Sequence, residues 1–214
     1  GAVNYTGRID TQALIEAYRN FLINSNQFKE ETFDYEALSE GTEGVSYGDI
    51  KAQHIVFTEG FGIHKNPYFK YLPLEGTKGE LITIHAPTLK LEVILKSSIF
   101  VIPMGENRYL VGSTYEWTDK TNKPTQKAKT ELIEKLERLI DCDYKIVDQR
   151  AGIRPTVVDR RPLVGQHSIH KSMYVLNGLG TRGVLVAPSM AEALYNAIEN
   201  DTPLPDEIDI NRFA

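Results

Sequence analysis

The stretch from residue 93 to 117, VILKSSIFVIPMGENRYLVGSTYEW, most constrains the fold. Two β-rich runs with alternating apolar residues meet at Gly105-Glu106-Asn107, a spacing that predicts an antiparallel hairpin. A hairpin in mid-chain must bury one face, so the flanking segments have to supply partner strands and a covering helix.

Upstream, Asp10 is placed as an N-cap before Ala13, Leu14, Ala17, Tyr18, Phe21 and Leu22, one face of a helix that NSN at 24–26 ends. FKEETFDYEAL alternates and predicts a strand, EGTEG a turn, and AQHIVFTEGFG a short apolar strand running into glycines. PYFKYLPLEGTKGE reads as a Pro/Gly loop ahead of a strand, ELITIHAP. Downstream, TQKAKTELIEKLERLI predicts a second amphipathic helix with Leu132, Ile133, Leu136, Leu139 and Ile140 inward. YKIVDQRAGIRPTVVD is extended, because Pro155 keeps Arg154 out of helical geometry. MYVLN is a strand, and a third helix containing Pro188 runs from about Gly183 to Glu199. The tail, rich in Asp, Glu and Pro, is expected to be a solvated end. The order helix, strands, helix, strands, helix is no regular βαβ alternation. It predicts an α+β fold with a mixed, largely antiparallel sheet flanked by helices.

A net charge of −5 argues against a general nucleic-acid or anionic-membrane surface. No apolar run approaches the length of a membrane span, and no signal peptide is evident. The single cysteine, Cys142, excludes an internal disulfide and suits a reducing compartment, with the cytoplasm as the default. The chain opens on Gly1 rather than Met, which suggests that it begins within a longer natural protein.

His167 and His170 are three apart, but no carboxylate or cysteine completes a metal set, so a surface turn is expected. GLGTRG, Gly178 to Gly183, follows a strand and opens a helix, as a dinucleotide fingerprint should. No acidic residue ends a second strand about twenty residues on, and no chain remains to build a parallel sheet, which disfavours that reading. The physics of the motif survives: glycines admit a close ligand, and a helix N-terminus favours negative charge. Between Arg150 and Gly183 stand Arg150, Arg154, Arg160, Arg161, Lys171 and Arg182 against one acid, Asp159. Arg154 sits in an apolar extended run between Ile153 and Pro155, where a partly buried guanidinium needs an anionic partner. A salt bridge, with Asp159 for instance, would supply one without any function.

AGIRPTVVDRRPLVG followed by MYVLNGLGTRGVLVAP resembles the C-terminal part of the FAD-dependent amine and amino-acid oxidoreductases, the D-amino-acid oxidase, glycine oxidase and sarcosine oxidase family. GRIDTQALIEAY, DIKAQHIVFTEGFG, PLEGTKGELITI and IFVIPMGENRYLVGSTYEW are similar to further family segments in the same order. The resemblance implies the substrate domain of that fold plus the C-terminal remnant of its FAD domain: residues 1–60 a partial FAD-domain segment, 61–150 the substrate domain, 151–214 a flavin-facing segment and helix. It further implies FAD as cofactor, a small amine or amino acid as substrate, and hydride transfer to the flavin. Arg154 matches the arginine that holds the substrate carboxylate. Phe100 stands in the substrate site where glycine-oxidase-like members carry a tyrosine, and Tyr109 or Tyr115 is a candidate replacement for the lost hydroxyl. Gly60, Gly152, Arg154 and the run Gly178, Leu179, Gly180, Thr181, Arg182 and Gly183 match cofactor-facing positions, with the helix dipole at Gly180–Gly183 set to stabilise charge on the reduced ring. Glu59 stands where a smaller residue is expected. The family's N-terminal FAD fingerprint is not in this sequence, so the chain alone is expected to be inactive and to bind FAD weakly. The alternatives are a non-catalytic domain of the same fold that grips a small carboxylate, and a nucleotide-binding protein that uses GLGTRG directly.

Overall fold

The computed structural model describes Gly1, Val3 and residues 7–213, in two compact units, Gly1–Ala37 and Leu38–Ala214. The first unit holds helix α1 (Thr11–Asn24), capped by the Asp10 carboxylate, which accepts the amides of Gln12 and Ala13. No residue of α1 is buried, and its apolar stripe is open, with Leu14 at 55% and Phe21 at 59% exposure. The strand expected over FKEETFDYEAL does not form before Leu38. Asp34 instead accepts the amide of Glu36 on its side chain and that of Ala37 on its carbonyl, starting a 3-10 turn over Tyr35–Ala37. This local bonding competes with a ladder.

The second unit begins with a three-stranded antiparallel meander, β1 (Leu38–Gly41), β2 (Gly44–Tyr47) and β3 (Ile50–Ala52). Then follow β4 (Ile55–Phe57), a 3-10 turn (Gly60–Lys65), β5 (Thr77–His85), β6 (Leu95–Lys96), β7 (Phe100–Gly105), β8 (Arg108–Gly112), helix α2 (Gln126–Leu136), β9 (Lys145–Arg154), β10 (Leu163–Gln166), β11 (Met173–Asn177) and helix α3 (Gly183–Glu199). The expected hairpin is β7–β8, closed by Glu106 and Asn107 in left-handed backbone (φ 51° and 56°), as a tight primed turn requires.

That hairpin lies within a five-stranded antiparallel sheet of order β6-β7-β8-β5-β9. Strand alternation divides its faces. Ile82, Ile84, Val101, Tyr109 and Val111 form one core with Leu132 and Leu136 of α2. The opposite face carries Thr77, Gly79 and Leu81 of β5, opposite Arg154, Gly152 and Arg150 of β9. β5 starts at Thr77, three residues before ELITIHAP. The polar TKGE reads as loop only because its charges are neutralised out of sight: Lys78 is fully buried and its ammonium meets Asp119 at 2.6 Å and Glu80 at 3.5 Å. α2 ends at Leu136, earlier than its periodicity suggests, and Leu139 and Ile140 continue against the same core.

A second sheet, β10-β11-β4, is mixed: β11 is antiparallel to β10 and parallel to β4. The tail is not a solvated end. Ile208 and Ile210 are buried, Val164 donates its amide to the Ile208 carbonyl at 2.9 Å, and the chain finishes in a 3-10 turn over Ile210–Phe213. Two isoleucines among the acids outweigh the polar composition. His167 is likewise no surface turn residue. It is buried, its Nδ1 accepts the amides of Ile169 and His170, and its Nε2 contacts the Tyr68 carbonyl. Burial first, then His170, pushes its pKa below the ordinary imidazole value. His170 pairs with Glu40 at 2.7 Å, and no metal-binding cluster forms among the described residues. No helix of the described residues is long and apolar enough to cross a membrane.

Candidate active site

The connector from Arg154 to Leu163 joins the two sheets, which explains its stiffness. β9 delivers Arg154 opposite Thr77, and Pro155, lacking an amide proton, stops the ladder there. The Thr156 carbonyl then accepts the amides of Glu75 (2.9 Å) and Gly76 (3.2 Å), while Thr77 donates its hydroxyl to that of Thr156 at 3.0 Å. On the other side the Pro155 carbonyl accepts the amide of Gly180 at 3.0 Å. One short segment therefore fixes the end of β9 against the turn after β11.

Arg154 itself lies across β5. A Cβ placed on Gly79 would fall 1.8 Å from its Nη2, so the guanidinium occupies the space that any other residue would fill. The Tyr115 ring covers the charge at 4.7 Å from Cζ, and both terminal nitrogens approach the Thr114 carbonyl at 3.4 Å, the limit of a hydrogen bond. Among the described residues no carboxylate pairs with Arg154. Asp159 is taken instead by Arg212 at 2.9 Å. Burial holds the guanidinium pKa below its ordinary value, an effect that Tyr115 opposes. The half-buried cation thus rests on two neutral surfaces, the Tyr115 ring and the Thr114 carbonyl.

The glycine turn follows β11. Gly178 (φ 71°) and Gly180 (φ 57°) hold left-handed backbone. A Cβ at Gly178 would strike Val157 at 2.5 Å, whereas one at Gly180 would meet nothing within 4 Å, leaving bare backbone. Asn177, 3% exposed, accepts the Gly178 amide on its side chain and donates to the Gly60 carbonyl at 2.9 Å, so Gly60 is tied to the turn. Leu179, Gly180, Thr181 and Arg182 line a cavity of about 560 Å³ that Thr77, Thr156, Tyr115 and Trp117 also enclose. The first-turn amides of α3 point from the same turn, with no side chain capping them.

A profile of the DAO family, FAD dependent oxidoreductases, matches residues 1–197. The chain belongs to this family. Glycine oxidase of Bacillus subtilis (strain 168) is 24% identical over 160 residues, 72% of this chain and 43% of that protein. The tRNA 5-methylaminomethyl-2-thiouridine biosynthesis bifunctional protein MnmC of Shewanella halifaxensis (strain HAW-EB4) is 26% identical over 212 residues, 80% of this chain and 32% of that protein. Among solved structures, iminodiacetate oxidase from Chelativorans sp. BNC1 superposes with a TM-score of 0.77 at 20% identity, over 97% of this chain and 58% of that one. Glycine oxidase from Geobacillus kaustophilus gives 0.63 at 20% identity, over 83% and 48%. The chain spans less than half the length of these two curated relatives, and its architecture is the DAO-like α+β fold.

The FAD on which the DAO family depends is tested here by the turn and its cavity. Bare backbone at Gly180 beside uncapped helix amides suits close approach by a planar, electron-rich carbonyl edge, so these residues fit the group. Not every expected residue joins them. Gly183 has ordinary helical backbone, and neither it nor Gly60, Gly152 or Arg154 is among the residues that line the cavity, which Arg154 adjoins through Thr77 and Tyr115. Phe100 shares the sheet face of Arg154 but sits across β8 and β5 from β9, its ring over Gly112, and does not line the cavity. Tyr109 donates its hydroxyl to the Leu89 carbonyl within the α2-side core, which leaves Tyr115 as the tyrosine at the site. Glu59 is absorbed structurally, accepting from buried Asn66 at 2.7 Å. GLGTRG follows β11, which is antiparallel to β10 and parallel to β4, and leads through a 3-10 turn over Gly180–Arg182 into α3. Gly79, Trp117 and Asn177 escaped the sequence reading. An isolated glycine within a strand was the one available signal, marking close approach of another group.

Proposed function

We propose that this DAO-family chain serves FAD-dependent oxidation of a small amine or amino acid, with Arg154 anchoring the substrate carboxylate. The observation that carries this is an arginine held flat on Gly79, half-buried and without an acidic partner among the described residues, beside a bare glycine turn. FAD, when bound, supplies the two-electron acceptor for the C–H bond next to the amine. The protein's own work is positional. Arg154 offers a planar fork for bidentate contact with a carboxylate, and the apolar ring of Tyr115 excludes water from one side of it. The glycine turn and the start of α3 meet the cofactor with bare backbone rather than side chains, the amides of Gly178 and Gly180 being held by Asn177 and Pro155, and Asn177 keeps Gly60 and Gly178 in register. In this reading residues 1–60 and 151–214 belong to the cofactor domain and 61–150 to the substrate domain. Support comes from β4 pairing with β11 in one sheet while β5 to β8 build the five-stranded one together with β9, whose last four residues lie past the boundary.

Arg154→Lys tests the anchor in FAD-loaded protein. Lysine keeps the charge but loses the fork, so KM for an amino acid should rise more than about tenfold, a loss of roughly 1.4 kcal/mol or more, with Tm nearly unchanged. A fall in Tm with KM unmoved would make Arg154 a structural residue.

A further inference from the structure

The cavity beside the glycine turn carries positive charge of its own, apart from Arg154, which adjoins it. Arg160 lines it, and so does Arg182, while no acidic residue does among the described residues. Two of the three arginines of this region, Arg161 and Arg212, act on one carboxylate, Asp159. Arg212 takes it with Nε at 2.9 Å, and Arg161 holds it through its backbone amide at 3.0 Å while its side chain reaches Glu207 at 3.9 Å. Arg160 alone of the three has no ion pair among the described residues. Its backbone is left-handed, φ 59°, a conformation that favours glycine. A long cation thus stands at a position whose backbone would suit glycine, on the wall of a cavity that already has Tyr115 and Thr77, the ring neighbour and the strand partner of Arg154, in its lining.

We propose that Arg160 is a specificity-determining residue: it binds a second anionic group on the substrate, so that the preferred substrate is an amine or amino acid bearing two acidic groups. The inference rests on Arg154 as the first anchor. An anion at Arg160 has two conceivable sources, the far end of the substrate or the phosphates of the cofactor, and the test separates them.

Trp117, the chain's single tryptophan, lines the same cavity, so its fluorescence reports occupancy without turnover. At constant ionic strength the chain is titrated with succinate, glutarate and adipate, and with butyrate, pentanoate and hexanoate as matched monoanions. FAD affinity is measured in parallel. At least one diacid should bind more than about tenfold tighter than its monoacid. Arg160→Gly, which also relieves the left-handed backbone, should bring that ratio within about twofold while monoacid affinity and FAD affinity hold. Arg160→Lys should retain part of the preference. The proposal is overturned if the unaltered chain does not prefer diacids, if the preference survives Arg160→Gly, or if Arg160→Gly weakens FAD and leaves the preference intact. Arg154→Lys should weaken both series. Monoacid binding that ignores Arg154→Lys, with the diacid preference still lost in Arg160→Gly, would sink the Arg154 anchor and leave Arg160 as the determinant.

Discussion

At Gly79 an absent side chain sets the position of a charge 75 positions further along the chain. The Arg154 guanidinium lies where a Cβ would be, 1.8 Å from Nη2 and 2.2 Å from Cζ. Gly79→Ala therefore tests the site by adding one methyl group. The clashing atoms are the end of a flexible side chain, so the arginine yields before the backbone does. Alanine also suits a strand interior better than glycine by about 0.5–1 kcal/mol, so stability should hold or rise slightly. Carboxylate affinity should fall by about tenfold, because the displaced guanidinium leaves the Tyr115 ring. Titration and a melting curve on the same variant check both halves, and unchanged affinity would show that Arg154 works from another position. Arg154 was legible in the sequence, since a pre-proline arginine in an apolar run needs an explanation wherever it lies. Gly79 was not, because the group that crowds it comes from β9, and pairing register is invisible in one sequence.

The element that sequence reasoning misjudged most is the start of β5, and it ties the site loop down. Lys78, fully buried, donates to Asp119 and to the Lys123 carbonyl, both at 2.6 Å, while Glu80 accepts the amide and hydroxyl of Thr125 at 2.8 Å. Tyr115 and Trp117 run just ahead of these anchors, on either side of Glu116, whose backbone exchanges two hydrogen bonds of 2.9 Å with that of Lys78. Lys78→Met leaves Glu80 buried without its cation and should lower Tm by roughly 6–12 °C. Asp119 gives the pH dependence. The Lys78 hydrogen bond first, then Thr121, holds its pKa at about 2, below the ordinary 3.8. A depressed carboxyl contributes stability that is complete above the unfolded value and is lost as pH falls through the folded one. The loop should loosen between about pH 4 and pH 2, seen as a shift of Trp117 emission, and Asp119→Asn should remove that transition. For Lys78, burial alone would lower the pKa, but Asp119 and Glu80 outweigh it and raise the pKa above 10.5. Its contribution is complete below the unfolded value and lost only as pH climbs through the raised one, so no loss is expected at neutral pH. The β7–β8 hairpin, α2 and α3 were legible because periodicity and turn chemistry agree there. The buried TKGE was not, since its neutralising partner Asp119 lies in a loop with no periodicity of its own.

Across the Leu38–Ala214 unit, the connector between the two sheets is held by the chain's own end. Arg212 donates to the Asp159 carboxylate and to the carbonyls of Pro162 and Asp209, each at 2.9 Å, so it clamps the tail onto the segment that carries Arg160. Ile210, 2% exposed, packs where Gly165 (φ 151°) brings β10 close; a Cβ there would lie 2.9 Å from the isoleucine. Composition pointed the other way, because a tail is judged by its acids, whereas two isoleucines at alternate positions decide whether it docks. The strap couples the whole unit to the site: tail to connector, connector to Gly180 through the Pro155 carbonyl, and Gly180 to the cavity. Ile210→Asp places an unpaired carboxylate in that contact and should cost about 3 kcal/mol or more, a Tm drop of roughly 6–12 °C. Amide exchange gives the finer reading. In Ile210→Asp the Val164 amide, bonded to the Ile208 carbonyl, should lose protection first. The Gly180 amide should follow if the connector transmits the loss, while Ile82 and Ile84, in the α2-side core, keep theirs. Loss at Val164 with Gly180 unaffected would confine the tail to local packing and detach it from the site.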